Sequence, residues 1–131
     1  ADWRAADESP HKLKKQGQET ETELRLAQNP DILATISKPG PKRPRLVIGF
    51  AAETENLIEN ATSKRRSKGA DWIVANDVWP GTGAMGGDTT QIHLITSAGV
   101  EDWPPLSKDE TAVRLLARAA DALSAMRSAA E

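Results

Sequence analysis

RLVIGFAAETENLIENATSKRRSKGADWIVAND, residues 45–77, is an apolar run, a polar stretch and a second apolar run. Leu46-Val-Ile-Gly-Phe50 and Trp72-Ile-Val-Ala75 read as short buried strands. The stretch between them has helical spacing, with Leu57, Ile58 and Ala61 on one side and charges on the other. Two such strands joined by a helix make a βαβ crossover, so they pair in parallel and the connection is right-handed. The segment after the first strand, Phe50-Ala-Ala-Glu-Thr54, is expected to be a loop facing a ligand crevice. Glu53, at its end, is expected to cap the following helix.

The whole chain has 131 residues, enough for one core but not two. Its formal net charge of −2 points neither to nucleic acid nor to an acidic membrane surface. Cysteine is absent, which rules out disulfides and thiolate metal sites and suits a cytoplasmic setting. No apolar run approaches the ~20 residues of a membrane span. Ala1-Asp-Trp-Arg4 enters abruptly and without Met, so we expect a fragment of a larger polypeptide.

Outward from the crossover, residues 1–10 read as a strand end running into a loop. Residues 11–15 (HKLKK) and 22–27 (TELRLA) read as a loose hairpin with a basic first arm. In its second half, Leu24 and Leu26 alternate with charges as in a half-buried strand. Asn29-Pro-Asp31 reads as a helix start, with Asn at the cap, and residues 30–37 as a short helix burying Ile32, Leu33 and Ile36. After the crossover comes a glycine-rich loop, residues 78–88, and then a strand over residues 90–96 that is apolar on both faces. Ser97-Ala-Gly99 turns the chain. Ser107-Lys-Asp-Glu110 is a capping box, and Val113, Leu116, Ala120, Leu123 and Met126 form the apolar stripe of a last helix. The pattern predicts an α/β, Rossmann-like three-layer fold, with a parallel sheet core plus an antiparallel hairpin.

Three groups suit anions: Lys12, Lys14 and Lys15; Lys64, Arg65, Arg66 and Lys68; and the free amides at Asn29–Ile32. Lys64 and Lys68 share a helical face and could grip one polyphosphate. Taken singly, each is more often a solvated cation, a dipole-compensating charge or an ordinary helix start. Asp2 is a candidate for magnesium or a sugar hydroxyl, against a solvated terminal Asp. His11 and His93 match no metal-ligand spacing and read as structural or exposed. Neither a P-loop nor a GxGxxG follows a strand, which argues against an NAD(P)-binding oxidoreductase fragment.

Taken in order, several segments together resemble a known family. They are Ala1-Asp-Trp-Arg4, Lys12–Lys15, Asn29-Pro-Asp-Ile32, Gly49-Phe-Ala-Ala-Glu-Thr54, Ala75-Asn-Asp-Val78 and residues 87–95. That family is the phosphopantothenoylcysteine synthetase, or phosphopantothenate–cysteine ligase, of coenzyme A biosynthesis. The segments resemble the bacterial form, the C-terminal portion of a bifunctional flavoprotein. The resemblance implies CTP-dependent ligation of 4′-phosphopantothenate and cysteine through an acyl-cytidylate, with Mg2+ and a homodimer. It also implies roles: Asp2 and the Asn29, Pro30, Asp31 and Ile32 backbone on the nucleotide, with Asp2 a metal candidate. Phe50 would lie on cytosine, Lys64 and Lys68 at the phosphates, and Lys12 in an arm that closes over the reacting groups. Residues 1–131 would then be the C-terminal part of the ligase domain. The N-terminal half, as a complementary segment, and the FMN-binding decarboxylase domain would lie outside it. The alternative is a truncated, non-catalytic α/β module that binds a nucleotide or a protein.

Overall fold

The crossover organises the larger part of the chain. In a computed structural model, which describes residues 2–7, 23–78 and 87–129, the chain divides into two units, residues 1–32 and 33–131.

In the first unit, β1 (Trp3–Ala5) and β2 (Leu26–Gln28) pair antiparallel, with Arg4 opposite Ala27. The alternation at Leu24 and Leu26 was expected to bury one face, yet both side chains are exposed. Among the described residues of this unit, the two strands have no second layer to bury against. The basic first arm of the expected hairpin lies outside the described residues, and β2 pairs with β1. Helix α1 (Ile32–Ser37), which belongs to the second unit except for its first residue, begins two residues later than expected. Ile32 and Ile36 are exposed; Leu33 alone of the three packs against the core.

In the second unit a four-stranded sheet runs in the order β3 (Ile48–Glu53), β4 (Trp72–Asp77), β6 (Ile92–Ile95), β7 (Val100–Asp102). Strands β3 and β4 are parallel, Phe50 facing Val74 and Glu53 facing Asp77. They are joined by α2 (Leu57–Lys68), so the βαβ reading holds. The other two pairings are antiparallel, and β6–β7 is a hairpin closed by Thr96 N–H donating to the Gly99 carbonyl (2.8 Å). The strand β3 runs through Glu53, so Ala51 to Glu53 are not loop; only residues 54–56 connect β3 to α2. Glu53 is not the cap: Asn56 holds that position in a left-handed conformation (φ 48°), and the Glu53 carboxylate accepts from Asn60 Nδ2. Gly69, at φ 72°, ends the helix in the left-handed turn that glycine adopts without strain.

Strand alternation sorts the core into two layers. Ala51, Ile73, Ala75 and Ile95 face α2, whose Ala61 and Leu57 meet them. Trp72, Val74, Ile92 and Leu94 face the other way, with Trp103, against Leu115, Ala119 and Ala122 of α3 (Lys108–Ser128). Helix, sheet and helix are the three layers expected. Ile73, Leu94 and Ile95 are fully buried, each contributing about 1.5–3 kcal/mol.

The apolar stripe read on α3 is the wrong one: Val113 and Leu116 are 69% and 70% exposed. The helix turns its small residues inward, where Arg114 lies 4.5 Å over the Trp103 ring and Arg118 5.2 Å over Trp72. Arg118 also pairs with Glu101 (2.8 Å), whose hydrogen bond raises the guanidinium pKa further. The capping box is as read. Ser107 Oγ accepts from Glu110 N–H (3.1 Å), and the Glu110 carboxylate accepts from Ser107 N–H (3.0 Å). Just before α3, β8 (Leu106–Ser107) pairs with β5 (Thr89–Thr90).

Candidate functional site

The residues read as nucleotide contacts fall in both units. In the first, Asp2 precedes β1 and is exposed, and its main-chain carbonyl accepts from Asn29 N–H (2.8 Å). Asn29 Oδ1 in turn accepts from the Arg4 guanidinium (3.3 Å), which also reaches the Gln28 carbonyl (2.7 Å). The β1–β2 pairing therefore brings Asp2 to Asn29, 27 positions along the chain. Pro30 is exposed, Asp31 half-buried and Ile32 exposed at the start of α1. Lys12 lies outside the described residues.

In the second unit, Phe50 is 64% exposed although it sits within a strand. Alternation puts it on the face of Ile48, beyond the area α3 covers. An exposed aromatic plane on a sheet is a stacking surface. Lys64, on α2, donates from Nζ to the Phe50 carbonyl (2.9 Å), which fixes the ammonium beside β3, an edge strand among the described residues. That uses one of its three donors. Lys68 follows on the same helical face, half-buried. With Arg65 and Arg66 it fills the last turn, where cations also oppose the helix dipole.

Among the described residues no group of three or more His, Asp or Glu side chains is placed to hold a metal ion. The described side chains therefore do not form a magnesium cage. Mg2+ with one carboxylate and several substrate phosphate oxygens is the arrangement that remains open to Asp2.

Sequence reasoning gave no role to a cleft of about 280 Å3 at the carboxyl end of β4. Leu57 and Pro105 form its apolar side, and Asp77, Thr89, Thr90, Gln91 and His93 its polar side. His93 is half-buried on β6, and its Nδ1 lies 2.5 Å from the Asp102 carboxylate on β7. The β6–β7 register sets these two residues directly opposite one another. A second hollow, over Glu59, Thr62, Ser63, Arg66 and Ser67 of α2, is shallow. Neither is lined by Phe50, Lys64 or Lys68.

A mixed sheet covered by helices on both faces, with a parallel βαβ crossover and a cleft at its strand ends, defines a Rossmann-like α/β domain. Within that class the chain belongs to the DNA/pantothenate metabolism flavoprotein C-terminal domain family, whose pattern matches residues 1–123. It is 41% identical over 117 residues to the coenzyme A biosynthesis bifunctional protein CoaBC of Escherichia coli (strain K12), covering 88% of this chain and 28% of that protein. The CoaBC of Haemophilus influenzae is 34% identical over 116 residues, again 88% of this chain and 28% of that protein. The crystal structure of the C-terminal domain of a CoaBC superposes with TM-score 0.62 at 35% identity, over 77% of this chain and 45% of that one. The DNA/pantothenate metabolism flavoprotein from Streptococcus pneumoniae gives 0.61 at 19% identity, over 84% of this chain and 46% of that one, a likeness of fold. The chain thus spans a little over a quarter of the length of its curated relatives. The resemblance read from the motifs, to the ligase portion of the bifunctional coenzyme A biosynthesis protein, holds.

Proposed function

We propose that this chain is the C-terminal, nucleotide-handling part of a CTP-dependent phosphopantothenate–cysteine ligase. The observation that carries the reading is the Phe50–Lys64 pair. An exposed ring stands on β3, and the main-chain carbonyl of the same residue accepts a 2.9 Å hydrogen bond from the Lys64 ammonium of α2, 14 residues away. The ring suits a pyrimidine, and the ammonium, with Lys68 one turn on, suits the phosphates beyond it. Asp2 and the main chain at Asn29, Pro30, Asp31 and Ile32 would complete the nucleotide contacts, the amides there selecting cytosine. Lys12 would close over the reacting groups as the catalytic cation.

The chemistry is two displacements. A carboxylate oxygen of 4′-phosphopantothenate attacks the α-phosphorus of CTP, and the bond to pyrophosphate breaks. The cysteine amine then attacks the acyl carbon, and the bond to CMP breaks, leaving the amide. Fixed cations are most effective at the phosphates in the first displacement, where charge moves onto the leaving pyrophosphate. No step here is routed through a metal; Mg2+ would arrive with the triphosphate. FMN belongs to the decarboxylase domain and has no part in it. The outer edge of β3, the first strand of the sheet, can accept a further strand, which supports a complementary N-terminal segment carrying the rest of the phosphopantothenate pocket. The working form would be a cytoplasmic homodimer.

Titration calorimetry with CTP and Mg2+ on the full polypeptide carrying this chain tests the reading. Binding of CTP in clear preference to ATP is expected; absent CTP binding, or equal affinity for ATP, would sink it. Lys12→Gln is expected to abolish turnover with thermal unfolding unchanged, and undiminished ligation would refute the role given to Lys12.

A further inference from the structure

Two stretches found no role in the ligation just described: the end of β4 at Asp77, and residues 87–95. The fold gathers parts of both around the 280 Å3 cleft. It lies where α/β sheets bind ligands, beyond the carboxyl end of β4 and against Leu57, the first residue of the helix that follows its parallel neighbour β3. Its volume falls just under the roughly 300–1,000 Å3 of pockets for drug-sized molecules, so it suits a smaller ligand.

The chemistry of the lining narrows the class. The Asp102 carboxylate can only accept, so Nδ1 of His93 is the N–H donor of that pair and Nε2 is the nitrogen left to take a proton. Asp77 adds a carboxylate on the same wall. The Thr89 and Thr90 hydroxyls and the Gln91 amide can donate to an anion, and the positive end of the 12-residue α2 adds to them. Acceptors for an ammonium and donors for a carboxylate, in a small cleft with an apolar corner, match a free α-amino acid.

We propose that this cleft receives the amino-acid nucleophile of the ligation and that His93 accepts its proton. The proposal rests on the ligase reading for the identity of that amino acid, cysteine. The α-ammonium must lose a proton before it can attack, and Nε2 of His93 takes it. The freed lone pair forms the C–N bond, the acyl C–O bond breaks with its electrons going to CMP, and the remaining surplus amine proton passes to water. Asp102, which does not touch the substrate, positions the imidazole.

The test has two arms. In the first, L-cysteine, L-alanine and 3-mercaptopropionate are titrated into the isotope-labelled full polypeptide, and the amides of Asp77 and residues 89–93 are followed by NMR. Saturable shifts with both amino acids are expected, with the des-amino acid at least about tenfold weaker because it has no ammonium to pair. Absence of shifts in these residues, or equal binding of mercaptopropionate, overturns the cleft assignment whatever the protein does with CTP. In the second arm, amide formed per pyrophosphate released is measured in single turnovers. His93→Gln is expected to lower this ratio about a hundredfold, the ordinary worth of a positioned base. An unchanged ratio overturns the role of His93. Should that variant fold poorly, Asp77→Asn, at an exposed position, is expected to raise the cysteine KM about tenfold, and an unchanged KM overturns the ammonium contact. Failure of the ligase reading would show separately, as no CTP-dependent pyrophosphate release from the parent protein.

Discussion

Helices α2 and α3 cover opposite faces of the same sheet and are built on opposite plans. The sheet-facing side of α2 offers Ala61 and Leu57, and the rest of the helix is polar apart from exposed Ile58, with its cations gathered in the last two turns. The other helix is 21 residues long, capped at its start, and sets two arginines over two buried tryptophans. The α2 side carries both the lysine that bonds to β3 and the residue that opens the cleft. The α3 side carries the large buried rings. The cleft and the tethered lysine thus lie on the α2 face, and the large buried rings on the α3 face, the side to which exposed Phe50 also points.

If that division is correct, the largest loss of stability follows truncation on the α3 side. Trp103 is 2% exposed and lies under Arg114. Trp103→Ala is expected to cost about 3–5 kcal/mol, read from urea unfolding. On the α2 side the sensitive point is a close approach rather than a large side chain. A Cβ at Gly49 would lie 2.6 Å from Leu33 Cδ2 and 2.7 Å from Ile73 Cδ1, so both side chains must shift. Gly49→Ala is expected to cost about 1–3 kcal/mol by overpacking. A larger loss at Gly49 than at Trp103 would reverse the comparison.

Smaller effects sharpen it at α3. Ser107→Ala removes the side chain that accepts from Glu110 N–H and is expected to cost about 1 kcal/mol. Leu116→Gln, on the stripe that faces solvent, is expected to change stability by no more than about 0.5 kcal/mol in this chain. A loss of several kcal/mol there would mean that the exposed stripe is covered.

The same contrast explains what the sequence made legible. The crossover could be read because β4 is buried on both faces, so its apolar run is continuous, and because polar α2 is closed by Gly69. The extension of β3 through Glu53 could not, since Ala51, Ala52 and Glu53 carry no strand pattern of their own. On α3 two apolar stripes compete. The one through Val113 and Leu116 was chosen, while the sheet took Leu115 with Ala119 and Ala122, two alanines that let the helix approach. Asn29 and Asp2, and Phe50 and Lys64, were singled out by type and order, but their pairing depends on strand register and on the fold of α2 against β3. The cleft was hidden for a stronger reason. His93 meets Asp102 only through the β6–β7 register and stands opposite Ala75 only through the β4–β6 register, and neither is written in local spacing.

The smallest effect is the one whose sign is best defined. The Glu110 carboxyl is held below its ordinary pKa, chiefly by the hydrogen bond from the Ser107 hydroxyl (2.7 Å) and secondarily by that from the Ser107 backbone N–H. A carboxyl depressed in the folded state stabilises fully above the unfolded pKa of about 4.3, and that contribution is lost as pH falls through the lower folded value. Gln at this position keeps an acceptor for the capping box but has no proton to gain. Thermal unfolding of Glu110→Gln and the parent should therefore differ most at neutral pH and converge in acid. A difference that persists unchanged below the folded pKa would place the contribution of Glu110 in packing and not in its charge.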